Sequence, residues 1–177
     1  MLIRTLVLAA GIAAATSAFA KETPIGEEKQ QSGMTIGAVY LQPIEMEPEG
    51  MMRAADDSDV HLEADIHAAK GNPNGFAEGD WMPYLVVKYQ LAKDGGQTQT
   101  GDLMPMVAND GPHYGDNVKL QGPGKYKMTL TIAPPTADPH SMFGRHVDKE
   151  TGVGPWFAPF TLDYEFVYAG TGKKGAY

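Results

Sequence analysis

The run Asp59-Val60-His61-Leu62-Glu63-Ala64-Asp65-Ile66-His67-Ala68 decides how the rest of the chain is read. Val60, Leu62, Ala64, Ile66 and Ala68 alternate with Asp59, His61, Glu63, Asp65 and His67. A period of two marks a β-strand with one apolar and one polar face. Same-face neighbours on such a strand stand about 6–7 Å apart. The polar row is unusual in kind, because Lys, Ser or Thr would solvate a face more cheaply than His, Glu, Asp and His. Imidazole and carboxylate are the groups that hold borderline divalent metals. Two readings follow: a metal site built on this strand, or a polar face turned to water.

Outward from this strand the chain repeats the same alphabet. Residues 33–41, 81–91, 97–107, 118–120, 126–132 and 156–169 carry the alternation or the apolar β-rich runs of further strands. Turn signals separate them, among them Asn72-Pro73-Asn74-Gly75, Asp94-Gly95-Gly96 and Gly122-Pro123-Gly124. Pro105 inside a strand pattern points to an edge or a bulge. Residues 42–57, 108–115 and 134–154 read as irregular or turn segments. Tyr126 stands where a tyrosine corner precedes an inner strand of an immunoglobulin-like sandwich. No stretch has a convincing amphipathic-helix pattern. The expected fold is all-β, an immunoglobulin-like antiparallel β-sandwich in one domain over residues 33–169. Residues 21–32 are expected to form a flexible N-terminal segment and residues 170–177 a flexible tail.

Residues 1–20 read as a secretory signal: Arg4, an apolar run from Leu6 to Ala15, and the small-x-small site Ala18-Phe19-Ala20. That places the mature protein in a bacterial periplasm, with no cysteine at the cleavage site for a lipid anchor. Losing Arg4 takes the formal net charge from −8 to −9. An acidic surface argues against nucleic-acid binding, which needs basic side chains, and suits cations. The chain has no Cys. A core of roughly 150 residues needs no disulfide. The lack of thiolate excludes blue-copper, cysteine-zinc and iron–sulfur centres, so a metal would be held by His, Met, Asp or Glu.

Candidate ligands recur away from the first strand. Met104-Pro105-Met106 leads through Asn109-Asp110-Gly111-Pro112 to His113, and a tight turn there would bring a thioether and an imidazole together. Gly144-Arg145-His146-Val147-Asp148 offers another imidazole beside charges. Thioether plus imidazole favours copper, and tolerates ferrous or manganous ions when carboxylates join. Each feature has a plainer reading: core methionines, a turn-capping His113, a surface His146–Asp148 pair, a solvated Glu45–Met52 loop. No nucleophile elbow, phosphate loop or His-Glu-x-x-His is present.

Together, Val39-Tyr40-Leu41-Gln42-Pro43-Ile44-Glu45-Met46-Glu47-Pro48, His61-Leu62-Glu63-Ala64-Asp65-Ile66-His67-Ala68, Trp81-Met82-Pro83-Tyr84-Leu85, Leu103-Met104-Pro105-Met106, Asp110-Gly111-Pro112-His113-Tyr114-Gly115 and Phe143-Gly144-Arg145-His146-Val147-Asp148 resemble the periplasmic iron-transport proteins of FetP type. The resemblance runs from about Met34 to Tyr168. It implies a homodimer of immunoglobulin-like fold that binds copper and supports iron uptake beside an inner-membrane iron permease. By motif it implies copper ligands at His61, Glu63, Met106, His113 and His146. Asp65 and Asp110 would neighbour a second position for iron or manganese. The expected role is therefore a binding protein that delivers iron, with copper-linked iron redox. A copper-dependent ferroxidase, a copper chaperone or buffer, and a metal-free adhesin module are the alternatives.

Overall fold

The computed structural model describes residues 22–170. They form nine strands: β1 (Thr23–Pro24), β2 (Lys29–Gln31), β3 (Met34–Leu41), β4 (Val60–Ala68), β5 (Val86–Lys93), β6 (Thr98–Ala108), β7 (Gly111–Val118), β8 (Gly124–Ala133) and β9 (Phe160–Tyr168). Single 3-10 turns at Ala55–Asp57 and Pro135–Ala137 are the helical elements among the described residues. Every strand pairing among them is antiparallel. The all-β antiparallel sandwich expected from the alternation is what forms. The signal expected at residues 1–20 and the tail beyond Gly170 lie outside the described residues.

The strands run in the order β1-β3-β4-β7-β6-β5-β8-β9, with β2 also on β3. β6 serves both halves of this path. Its residues 98–103 pair with β5, and residues 104–108 pair with β7. The change of partner falls between Leu103 and Met104, one residue before Pro105. Pro105 thus sits where β6 has a neighbour on one side, the place a residue without an N–H is tolerated.

The apolar face of β4 enters the core as its pattern requires: Val60, Leu62, Ala64, Ile66 and Ala68 are all buried. Val87, Tyr89 and Leu91 of β5 and Tyr126, Met128, Leu130 and Ile132 of β8 meet them in one cluster. Full burial of each large aliphatic side chain contributes about 1.5–3 kcal/mol. Tyr126 forms the expected corner: its hydroxyl donates to the Gly122 carbonyl at 2.7 Å and accepts the Gln121 N–H at 3.0 Å.

Three expectations need correction. Residues 21–32 were expected to be flexible, but β1 and β2 pair with β3. Ile25 anchors them, fully buried and donating its N–H to Ala38 at 2.7 Å. The strand expected from Trp81 starts at Val86, because Tyr84 takes a φ of 59° after Pro83. There the Tyr114 hydroxyl replaces the ladder, donating to the Met82 carbonyl at 2.6 Å and accepting the Leu85 N–H at 2.9 Å. The turn expected over residues 108–115 shrinks to a hairpin tip at Asn109-Asp110, and from Gly111 the chain is already β7.

Candidate metal centre

β4 lies between β3 and β7, and the middle of its polar row is turned away from water while Asp59, Asp65 and His67 are half-buried. His61 is 0% exposed and Glu63 6%. The register sets what stands beside them. His61 faces Asn117 and Glu63 faces Gly115 across β7, while Met106 of β6 faces His113 of β7. Cross-strand partners share a face, and side chains two apart along a strand share it too. His61, Glu63, Met106, His113, Gly115 and Asn117 therefore lie on one side of the sheet. Leu62, Ala64 and Tyr114 occupy the core side.

The donors converge. Glu63 Oε1 lies 3.5 Å from His61 Nε2 and 3.3 Å from His113 Nε2. One donor atom from each of the three falls within 4.8 Å of the others. The imidazole rings stand edge to face, 77° apart. Both Nε2 atoms are buried, with no hydrogen-bond partner among the described residues. A buried polar atom left without a partner costs about 1–3 kcal/mol. Two such atoms aimed at one carboxylate are a donor set that a cation would satisfy. Gly115 keeps the space open: a Cβ there would sit 2.5 Å from His61 Nε2 and 3.1 Å from Met106 Sδ. The thioether therefore borders the same gap as the imidazole.

Asn117, which sequence reasoning missed, decides the state of His61. It is 2% exposed. Its Nδ2 donates to the carbonyls of Ile44 (2.8 Å) and Arg53 (3.0 Å), which fixes the amide's orientation. Oδ1 then accepts the Ile44 N–H at 3.2 Å and must accept from His61 Nδ1 at 2.9 Å. With its proton on Nδ1, His61 presents a bare Nε2 lone pair to the gap. Metal-bound histidines are commonly oriented by such an outer partner. The signal was available in the alternation His113, Gly115, Asn117, had residues 111–118 been read as a strand.

Acidic side chains crowd the same face. Burial, then the charges of Asp65, Glu22 and Asp110, push the Glu63 carboxyl up to about 8. Burial also raises Asp65, against the pull of His113 and His67. Glu22 is raised by burial, by the Asp65 and Asp110 charges and by a hydrogen bond to Asp110. Sequence reasoning missed Glu22 too, because it lies in the segment expected to be flexible. Burial lowers His61 to about 4, against its bond to Asn117. The neutral imidazole is the form that binds metal.

Of the residues expected at the site, the structure gathers His61, Glu63, His113 and Met106, and sets Asp65 and Asp110 within electrostatic reach of Glu63. It places His146 elsewhere. That side chain is 75% exposed, with Nδ1 2.8 Å from Thr151 Oγ1 and 3.9 Å from Asp148. His67 is half-buried opposite Thr35, and His140 is exposed.

Known proteins resemble this chain along its length. A Brucella abortus UPF0423 protein is 71% identical over 173 residues, covering 97% of this chain and 95% of that protein. The 34 kDa membrane antigen of Treponema pallidum is 41% identical over 150 residues, covering 81% of this chain and 72% of the antigen. The copper-reconstituted P19 protein of Campylobacter jejuni superposes with a TM-score of 0.82 at 56% identity, covering 86% of this chain and 99% of that one. FetP of uropathogenic Escherichia coli strain F11 gives 0.81 at 53% identity, with 86% and 99% covered. The family model described as Fe2+ transport protein matches residues 19–170, and the chain belongs to that family.

Proposed function

We propose that the buried centre binds copper and that the protein serves iron uptake in the periplasm, delivering iron to an inner-membrane permease. The observation that carries the copper reading is the pair of buried, unpartnered Nε2 atoms of His61 and His113 on either side of Glu63, with the Met106 thioether at the same gap. Two imidazoles, a thioether and a carboxylate without thiolate are a soft-to-borderline set that suits copper better than a hard cation. The copper-loaded state of P19 supports this choice. Copper bound here would supply a one-electron couple beside a cation position. Glu22, Asp65 and Asp110 offer that position hard oxygen donors, suited to ferrous or manganous ions. The periplasmic location rests on the secretory pattern of residues 1–20.

His146 fits this reading in a homodimer. Its exposed ring lies outside the cluster of its own chain, so a second copy is the means of bringing it to a centre. Size measurement by light scattering tests the dimer, and a monomer at working concentration would remove His146 from the site.

The function is tested by titrating the mature protein with Cu(II) and Mn(II), separately and together. Copper should bind tightly with manganese held in addition, and Met106→Ile or His113→Ala should weaken copper binding strongly. Unchanged copper affinity in both variants would exclude the centre as described. Oxygen consumption over many cycles of ferrous addition would instead favour a ferroxidase.

A further inference from the structure

The irregular segment between β3 and β4 is more than a solvated connection. Asn117 holds it at both ends, through Ile44 and through Arg53. Between those anchors the chain curls around a cavity of about 620 Å3, lined by Met46, Met51, Met52, Glu47 and Glu49 among others. Three of the chain's ten methionines fall within residues 46–52. Methionine ordinarily fills gaps in a core, yet Met51 is 56% exposed. Thioethers are soft donors that select cuprous over hard cations. The neighbouring carboxylates would raise the local concentration of any cation. The side chain that anchors this loop also orients His61, through the 2.9 Å bond between Oδ1 and Nδ1. The loop's anchor and the buried centre's orienting partner are thus one residue.

We propose that Met46, Met51 and Met52 form an acceptor site for cuprous ion, placed beside the buried centre to receive the metal first. The ion would pass from thioethers to the His61/Met106 donors by ligand exchange, with no change of oxidation state. The order of transfer rests on the copper reading of the buried centre; the loop site does not.

The test is anaerobic titration of the full mature protein with Cu+ against a chromophoric cuprous chelator. It is paired with Ag+ titration followed by NMR of 13C-methyl methionine. The wild type should bind one equivalent more than the Met46→Leu/Met51→Leu/Met52→Leu variant, whose side chains keep nearly the same volume. The three loop methyls should shift in the wild type during Ag+ addition. Met106→Leu should lose the buried equivalent and keep that of the loop. If the triple variant binds as much Cu+ as wild type and the three methyls stay fixed, the loop site is refuted while the buried centre stands. If the triple variant loses all Cu+ and Met106→Leu loses none, the loop binds metal and the buried centre is refuted as the receiving site.

Discussion

Replacing Asn117 by Ala removes four hydrogen bonds at once: 2.9 Å to His61 Nδ1, 3.2 Å to the Ile44 N–H, 2.8 Å to its carbonyl and 3.0 Å to that of Arg53. Each such bond contributes a net ~0.5–1.5 kcal/mol, which gives roughly 2–6 kcal/mol if none is replaced by water. Arg53 is exposed, so water can reach that side of the loop, and a loss of about 2–4 kcal/mol is expected. A domain of ordinary stability, about 5–15 kcal/mol, survives this folded. The larger consequence is at the metal. Without the Oδ1 acceptor, His61 no longer has its proton held on Nδ1, and loss of such an outer partner costs about 10–100-fold in metal affinity. Asn117→Asp separates the two effects, because a carboxylate still accepts from Nδ1 but cannot donate to the loop carbonyls. Denaturant unfolding measures stability, competition titration measures copper affinity, and 15N NMR of the imidazole reads the tautomer. Ala should lose both affinity and tautomer; Asp should keep the tautomer and lose loop stability. Wild-type copper affinity in Asn117→Ala, with His61 still protonated on Nδ1, would refute the argument.

Glu63 governs the pH dependence. Its folded carboxyl holds a proton to about 8, against an ordinary 4.5, so its contribution to metal-free stability is complete below 4.5 and is lost as pH rises through 8. His61, lowered from 6.5 to about 4, acts in the opposite sense, contributing above 6.5 and losing that contribution as pH falls through 4. The two offset each other between 4.5 and 6.5, and metal-free stability should decline from there towards pH 8; Glu63→Gln should flatten that decline in urea melts. Copper entering at neutral pH must displace the Glu63 proton, so the calorimetric binding enthalpy should vary with buffer ionisation heat in wild type and lose that component in Glu63→Gln. Gly115→Ala puts a methyl 2.5 Å from His61 Nε2; it should cost about 1–3 kcal/mol by overpacking and sharply weaken copper binding, with the Cu(II) EPR signal as readout. Leu130→Ala, in the core on β8 between β5 and β9, should cost about 2–5 kcal/mol in denaturant unfolding and leave copper stoichiometry as in wild type.

What could be seen in the sequence depended on whether a single strand sufficed. The alternation from Val60 to Ala68 names the core side of β4 without reference to any other strand, and the same holds for Tyr126, Met128, Leu130 and Ile132. The polar row of β4 announced imidazoles and carboxylates, but not that they are buried. Burial comes with the side chains that β7 and β6 set around His61 and Glu63, among them His113 and Met106, and strand order is a long-range property. Met106 and His113 were placed together for a partly wrong reason. They meet as cross-strand partners in a hairpin ladder, not as flanks of a compact turn.

Asn117 and Glu22 show the limit more sharply. Asn117 matters because it stands opposite His61 in one register; a slip by one residue would turn it to the other side of the sheet. Glu22 matters because Ile25 is buried and draws a polar segment onto β3, bringing its carboxyl near Asp65 and Asp110. A single apolar residue among polar ones is too weak a local signal to announce a strand. His146 is the complementary case, since its motif marks it for the site while its own fold holds it at the surface. On the homodimer reading, a residue that one chain cannot bring to its centre is legible only at the level of the assembly. The candidate donor set is thus written at three ranges: within one strand for His61 and Glu63, across strands for His113 and Met106 (as for Asn117, which orients His61), and, on the homodimer reading, between copies for His146.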